Sequence, residues 1–456
     1  MPRNKIKKSL FTLLALSPFA SMFLPGCSNS EIIVANFESY MSDELMVQTR
    51  NEFGCRFLYY DTNETIETKF EKNYDIAIPS SYEALILKKK GLLEKIDWEQ
   101  FEMKAEDKNG KVINVKTSED AMFLFSDTTQ NVLTAQDELY RGLGYLDNNE
   151  KVLDYCIPYF LQSWMFAYDG CEEIPALADE NITWLDAAKE IGSNSYFSRG
   201  STGVNIACVD DSRTVYGMSK LIYDKKNNIP QHDWNINPDT DGESIDQYSQ
   251  VYSSFVSNFK SDSFYFNSDS QIILQSLADP KGANGAFCYN GDALYALTGG
   301  GISDFEHYWN SDNFHAVMPK ETVITLDMLV FNKKNNDNEE RMQKVYDIAK
   351  KLTLEGGSAG EDISKVDEED NYVYGPMINF DFVMYTAPLK NVDTYVTEPD
   401  EGYIATEIDE DQQELFTKMY EIDANVTNLK NLFERPLSDL DKSNMHWAYE
   451  PEKEKL

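Results

Sequence analysis

Between Tyr74 and Asp97 the chain reads YDIAIPSSYEALILKKKGLLEKID, and this stretch constrains the fold more than any other. Asp75–Pro79 is a short, Ile-rich apolar run, the pattern of a buried strand. Ser80 and Glu83 stand at capping-box spacing for a helix that follows at once, with Ser80 at the N-cap. Leu85, Ile86 and Leu87 supply an apolar helix face. Lys88–Lys90 suit the negative end of the helix, and Gly91 stops it. A strand ending in small hydroxyls and a Tyr at a helix N-terminus puts polar groups at the carboxyl end of a sheet, where open α/β sheets bind ligands. An ordinary strand-to-helix turn carries the same pattern, so a site reading needs more than this segment.

The alternation extends along the chain. Residues 28–99 read as alternating strands and helices, with strands at Ile32–Ala35, Arg56–Tyr60 and Asp75–Pro79. Residues 100–150 are polar, with weak periodicity. Residues 157–290 alternate again and suit a second lobe. Phe314–Met318 and Thr322–Phe331 read as strands, and Glu339–Leu354 as an amphipathic helix (Met342, Val345, Ile348, Leu352) closed by Gly356-Gly357. Residues 361–371 form an acidic loop, and the tail from about Asp409 reads as helical, with Leu415, Met419, Ile422 and Leu429. Such alternation means an α/β fold with mainly parallel sheets. A length of 456 residues allows two or three domains.

The N-terminus reads as a targeting segment. Arg3, Lys5, Lys7 and Lys8 precede an apolar run from Leu10 to Leu24, interrupted by Ser17-Pro18 and too short for a membrane span. It ends in Leu24-Pro25-Gly26-Cys27, which resembles a bacterial lipobox with Cys27 as the lipid anchor. This predicts a body tethered on the extracellular face of the cell membrane. The net charge of −37 excludes nucleic acid and anionic lipid as favoured partners and attracts cations. Most of those acids serve only a solvated surface.

The other five cysteines (Cys55, Cys156, Cys171, Cys208, Cys288) are scattered and read as free buried thiols, with one bridge allowed. The four histidines, His232, His307, His315 and His446, lack metal-ligand spacing. No P-loop, G-x-S-x-G, Rossmann glycine fingerprint or H-E-x-x-H occurs. Asn237–Gly242 half-resembles a calcium loop, but its twelfth position is Tyr248 rather than Glu. Gly299–Gly301 reads as a helix stop and turn. The expectation is therefore no enzyme, no cofactor and no metal.

Asn36-Phe37-Glu38-Ser39-Tyr40, after the strand Ile32–Ala35, and Tyr74–Tyr82 together resemble the ligand loops of the spermidine/putrescine-binding proteins, the receptors of polyamine ABC transporters. The likeness recurs in order at Ile157–Phe160, Thr183–Asp186, Val209–Arg213, Phe266–Asp269, Tyr289–Ala293, and Pro319–Glu321 with Asp327. It spans about residues 32 to 330. The resemblance implies a two-lobed, hinge-linked periplasmic-binding-protein-like fold with the ligand cleft between the lobes. Its implied layout is a lipoprotein signal peptide at 1–27, then lobe I at 28–161 with an insertion at about 100–150. Lobe II follows at 162–290, with a return to lobe I at 291–325. Residues 326–456 would complete lobe II and add a C-terminal helical tail.

A polyamine is an apolar rod with ammonium groups, so its site needs carboxylates for the charges and aromatic faces for the methylenes. The resemblance places these at Phe37, Glu38, Tyr40, Ser80, Tyr82, Asp211, Tyr289 and Asp292. Read without it, the aromatics are core residues and the two aspartates are turn or helix caps. The family's first-loop acid falls on Ser39 and a second on Thr214. Two of its tryptophans are Phe37 and Tyr289, and a further aromatic falls on Thr325. Glu38 adjoins Ser39, but neighbouring side chains in an extended segment point opposite ways. The pocket thus keeps a cation-friendly character with fewer charges. The implied function is a lipid-anchored receptor that captures putrescine or spermidine and delivers it to ABC permease subunits. Two alternatives stand beside it. One is a same-fold receptor for another cationic or small polar solute. The other is an adhesin-type lipoprotein with a degenerate cleft, contacting its target through 100–150.

Overall fold

The computed structural model describes residues 31–197, 206–229, 234, 243–267, 272–273, 276–277, 282–298, 313–426 and 429–456. Residues 1–27, the expected signal segment with Cys27, and Asn237–Gly242, Ser268–Asp269, Gly299–Gly301, His232 and His307, lie outside them. No described helix is long and apolar enough to cross a membrane.

The fold is α/β and two-lobed, built on one nine-stranded sheet of order β2-β1-β3-β11-β6-β9-β7-β8, with β10 beside β6. β1 (Ile32–Phe37) runs parallel to β2 (Cys55–Tyr60) and β3 (Ile76–Ala77). β4 (Lys104–Glu106) and β5 (Val112–Asn114) form a separate hairpin. β6 (Cys156–Tyr168) is buried at all its 13 positions. Its first part pairs with β11 (Ile324–Phe331), and Trp164–Tyr168 pair with β9 (Gly285–Tyr289) on one side. β10 (His315–Val317) lies on the other side. β6 thus carries the chain from one half of the sheet to the other. In the second half, β7 (Ile206–Val209) is parallel to β8 (Phe264–Asn267) and to β9.

The chain after 326 divides between the halves. β11 pairs with β3, and helix Glu339–Thr353 packs on α1 (Asp43–Phe53) in the first half. Helix Asp439–Lys453 packs on α8 (Ile245–Val256) in the second. Asp75, wholly buried, anchors the first-half packing. It accepts from the Ile33 amide at 2.8 Å and pairs with Arg341 at 2.6 Å.

The capping box at Ser80 does not form. Ser80 is the N-cap of α3 (Ser81–Lys89), but its side chain makes no cap bond. Its hydroxyl donates to Asp327 Oδ1 at 2.7 Å, a charged acceptor that outcompetes a helix amide. Asn63 accepts from the Ser80 amide instead, at 3.0 Å. Glu83 turns inward, because α3 is buried from Ser81 to Leu87 and offers it no wet face. Among the described residues, neither of its carboxyl oxygens has a hydrogen-bond partner. Burial pushes its pKa up to about 8.

Residues 100–150 are packed into the body. α4 (Ser118–Ala121) has a complete Thr117/Asp120 capping box. α5 (Asp127–Gly142) buries Val132, Leu133, Leu139 and Tyr140. Gln136 donates to the Ser81 hydroxyl at 2.9 Å, so α5 braces the start of α3. The five described cysteines are all free, and four are buried.

Candidate ligand-binding site

The carboxyl ends of the parallel strands from both halves converge on one cavity of about 260 Å³. β1 delivers Phe37–Tyr40, β2 delivers Tyr60–Glu64, and β3 delivers Ser80 and Tyr82. From the other half come Val209–Asp211 after β7 and Tyr289 with Asp292 after β9. All eight residues named from the sequence line this cavity. Switch-point geometry explains the convergence, since parallel strands put their following loops on the same edge.

The charge there is one-sided. Glu38, Asp61, Glu64, Asp210, Asp211, Asp292, Asp327 and Glu434 line the cavity, and among the described residues no Lys, Arg or His does. Two of these acids have internal counterions. Lys453 pairs with Asp210 at 3.0 Å, and Arg213 with Glu64 at 3.2 Å. Desolvation raises the pKa of Asp211, of Asp327 to about 6, and of Glu434 to about 8. Carboxyls held this way favour any arriving cation, whether a proton or a ligand.

Asp327 is the best organised of them. A register shift between Asp327 and Met328 breaks the β11 ladder and aims the side chain inward. Tyr40 and Ser80 hydroxyls each donate to it at 2.7 Å, and Gln162 donates as well. Asp211 caps α7 (Ser212–Lys226), accepting from the Thr214 amide at 2.8 Å and its hydroxyl at 2.6 Å. Both bonds fall on Oδ2, so capping leaves Oδ1 for the cleft. Thr214, which replaces an expected acid, thereby steadies another one. Asp292 accepts from Tyr385 at 2.6 Å. Gly291 makes that contact feasible, because a Cβ there would stand 2.2 Å from the Tyr385 ring.

The aromatics divide into packed and open faces. Tyr40 is buried against Tyr385, Tyr159 and Phe160, with ring centroids 5.1–5.9 Å away. The Tyr82 face is covered by the Arg213 guanidinium at 4.0 Å. Phe37, packed on Tyr60 at 4.5 Å, and Tyr289, edge-on to Trp164 at 4.8 Å, remain partly exposed. Glu38 corrects the alternation argument. β1 ends at Phe37, Ser39 adopts φ +57°, and the resulting turn leaves Glu38 exposed on the cleft lip.

Sequence reasoning missed Glu64, Gln162, Trp164, Tyr385 and Glu434, and took Asp327 only as a strand landmark. Asp327 had a signal, a lone acid inside the apolar run ITLDMLVF. Tyr385 and Glu434 lie beyond residue 330, where no motif pointed. The thiol in the lining, Cys288, is pushed well up by burial and stays neutral. Among the described residues no cluster of His, Cys, Asp and Glu has the geometry to hold a metal.

A family described as "Hypothetical lipoprotein (MG045 family)" matches residues 3–429. No curated protein matches the chain. Among solved structures, the chain is similar to a spermidine/putrescine ABC transporter substrate-binding protein from Streptococcus pneumoniae, at 16% identity and TM-score 0.51, covering 93% of this chain and 98% of that one. It is similar to a putative spermidine/putrescine ABC transporter from Listeria monocytogenes at 17% and 0.52, with the same coverages. A Clostridium botulinum thiaminase I, solved with thiamin, matches at 12% and 0.50, over 92% of this chain and 100% of that one. At these identities the likeness establishes the fold.

Proposed function

The chain belongs to the MG045 family of hypothetical lipoproteins, and we propose that it is a lipid-anchored, extracytoplasmic solute-binding protein that captures a polyamine and presents it to an ABC permease. Cys27 is the proposed anchor. The ligand residues are Phe37, Glu38, Tyr40, Ser80, Tyr82, Asp211, Tyr289 and Asp292. Tyr40 and Tyr82 act mainly as walls that hold Asp327 and Arg213 in place. The observation that carries this reading is the cleft lined by eight acidic side chains and, among the described residues, no base, with partly open aromatic faces at Phe37 and Tyr289. Such a cavity rejects anions and leaves neutral solutes without compensation for its buried acids. Cations gain both ion pairing and cation–π contact, the latter about 0.5–2 kcal/mol per ring.

The same geometry supports a second reading, a receptor for another organic cation. The test is a fluorescence titration of residues 28–456, read through Trp164 beside Tyr289, with putrescine, spermidine, thiamin and butane-1,4-diol. Polyamine binding with no response to the diol is expected. Saturation by thiamin alone would move the assignment to the second reading, and saturation by the diol would overturn the cationic one.

A further inference from the structure

Glu434 lies outside every segment that the sequence ties to ligand binding, yet the fold delivers it to the cleft. Phe433 forms a parallel bridge with Ile324, and the Ile324 amide donates to the Leu432 carbonyl at 3.1 Å. This fixes the C-terminal segment along the start of β11, next to the crossover strand β6. On the far side, Arg213 Nη1 donates to the Arg435 carbonyl at 2.8 Å. Glu434 between them is 6% exposed and lines the cavity. It makes no hydrogen bond or ion pair among the described residues, unlike Asp327, Asp211 and Asp292. A carboxyl so deeply buried without a partner is costly unless something outside the protein completes it.

We propose that Glu434 is the acceptor for a cationic end of the ligand, so that the C-terminal segment supplies a carboxylate that Ser39 and Thr214 do not. The proposal rests on reading the cleft as a polyamine site. The charged groups facing Glu434 are Arg213, which favours its ionised form, and Asp211, Glu64 and Asp327, which oppose it. The Tyr82, Tyr140 and Tyr289 hydroxyls also feel its charge. Burial outweighs Arg213 and pushes Glu434 to about 8, so in the empty cleft at neutral pH it carries a proton. An ammonium group arriving there favours the carboxylate. The O–H proton leaves to solvent, the carboxylate pairs with the ammonium, and the charge of the cleft is unchanged. Capture of one cation is thus an exchange for one proton. Solutes without a positive charge cannot drive it.

Calorimetry of residues 28–456 with putrescine near pH 7, in two buffers of different ionisation heat, counts the protons released. Close to one proton per ligand is expected for the wild type. Release should vanish in Glu434→Gln, with affinity about tenfold or more weaker, as loss of a charged hydrogen bond implies. Asp327, at about 6, is largely ionised already at that pH and releases little. Exposed Glu410→Gln should behave as wild type. Glu434→Asp keeps the acid and should keep proton release if Glu434→Gln does not fold. Putrescine binding without proton release, or unchanged in Glu434→Gln, would overturn the role of Glu434 and leave the polyamine reading standing. Absence of putrescine binding in the wild type would overturn both.

Discussion

Replacing Glu83 with Gln tests whether the buried acid beneath the cleft is held against its chemistry. Glu83 is wholly buried, with no hydrogen-bond partner for either oxygen among the described residues. Its folded-state pKa is raised from 4.5 to about 8. A carboxyl raised on folding contributes stability that is fully present below about pH 4.5 and is lost as pH rises through about 8. Each pH step over that window costs the folded state about 1.4 kcal/mol. Raising the pH from about 5 to about 8 therefore removes about 3 kcal/mol through Glu83 alone. Gln cannot ionise, so Glu83→Gln lacks this loss, while any cost of burying the amide is the same at both pH values. Urea unfolding of wild type and variant at the two pH values isolates the effect, because other titrating groups cancel in the comparison. The variant should gain about 3 kcal/mol on the wild type between pH 5 and pH 8. An equal gap at both pH values would refute the reasoning, and would mean that Lys442 and Arg213, the nearby cations, already hold Glu83 ionised.

Arg341→Ala should destabilise the fold by about 3–5 kcal/mol in denaturant unfolding, because it strips the main counterion from wholly buried Asp75. If the cleft binds a cation as proposed, Asp327 sets a pH limit on capture. As pH falls through about 6 it takes a proton, so affinity for a cation should drop, and Asp327→Asn should bind more weakly with that acid-side drop removed from its pH profile.

The strand-helix alternation exposed the α/β class, because a buried strand and an amphipathic helix each leave a local trace in the sequence. β1, β2, β11 and helix Glu339–Thr353 stand within a few residues of where periodicity put them. The Ser80 cap misled for a reason no local pattern contains. Its hydroxyl answers Asp327, 247 residues away, and that pairing exists only once β11 lies beside β3. Residues 100–150 looked loosely patterned because their apolar positions are shared among a hairpin and two helices rather than held in one long period. On the site, the family resemblance rather than local pattern named the eight residues, and they line one cavity because the segments that carry them follow strands on the same sheet edge. Glu434 and Tyr385 reach it from a tail whose own sequence is ordinary, and only the bridge from Phe433 to Ile324 and the contact with Asp292 reveal them.

The most direct test of the central claim is calorimetric titration of residues 28–456 with putrescine and spermidine, repeated on Asp292→Ala. Micromolar or tighter binding that the variant loses is the predicted result, because Asp292 faces the cavity with its Tyr385 contact already formed. Absence of heat with both amines, in a protein that unfolds cooperatively, would contradict a polyamine receptor and leave a two-lobed fold whose acidic cleft serves another ligand.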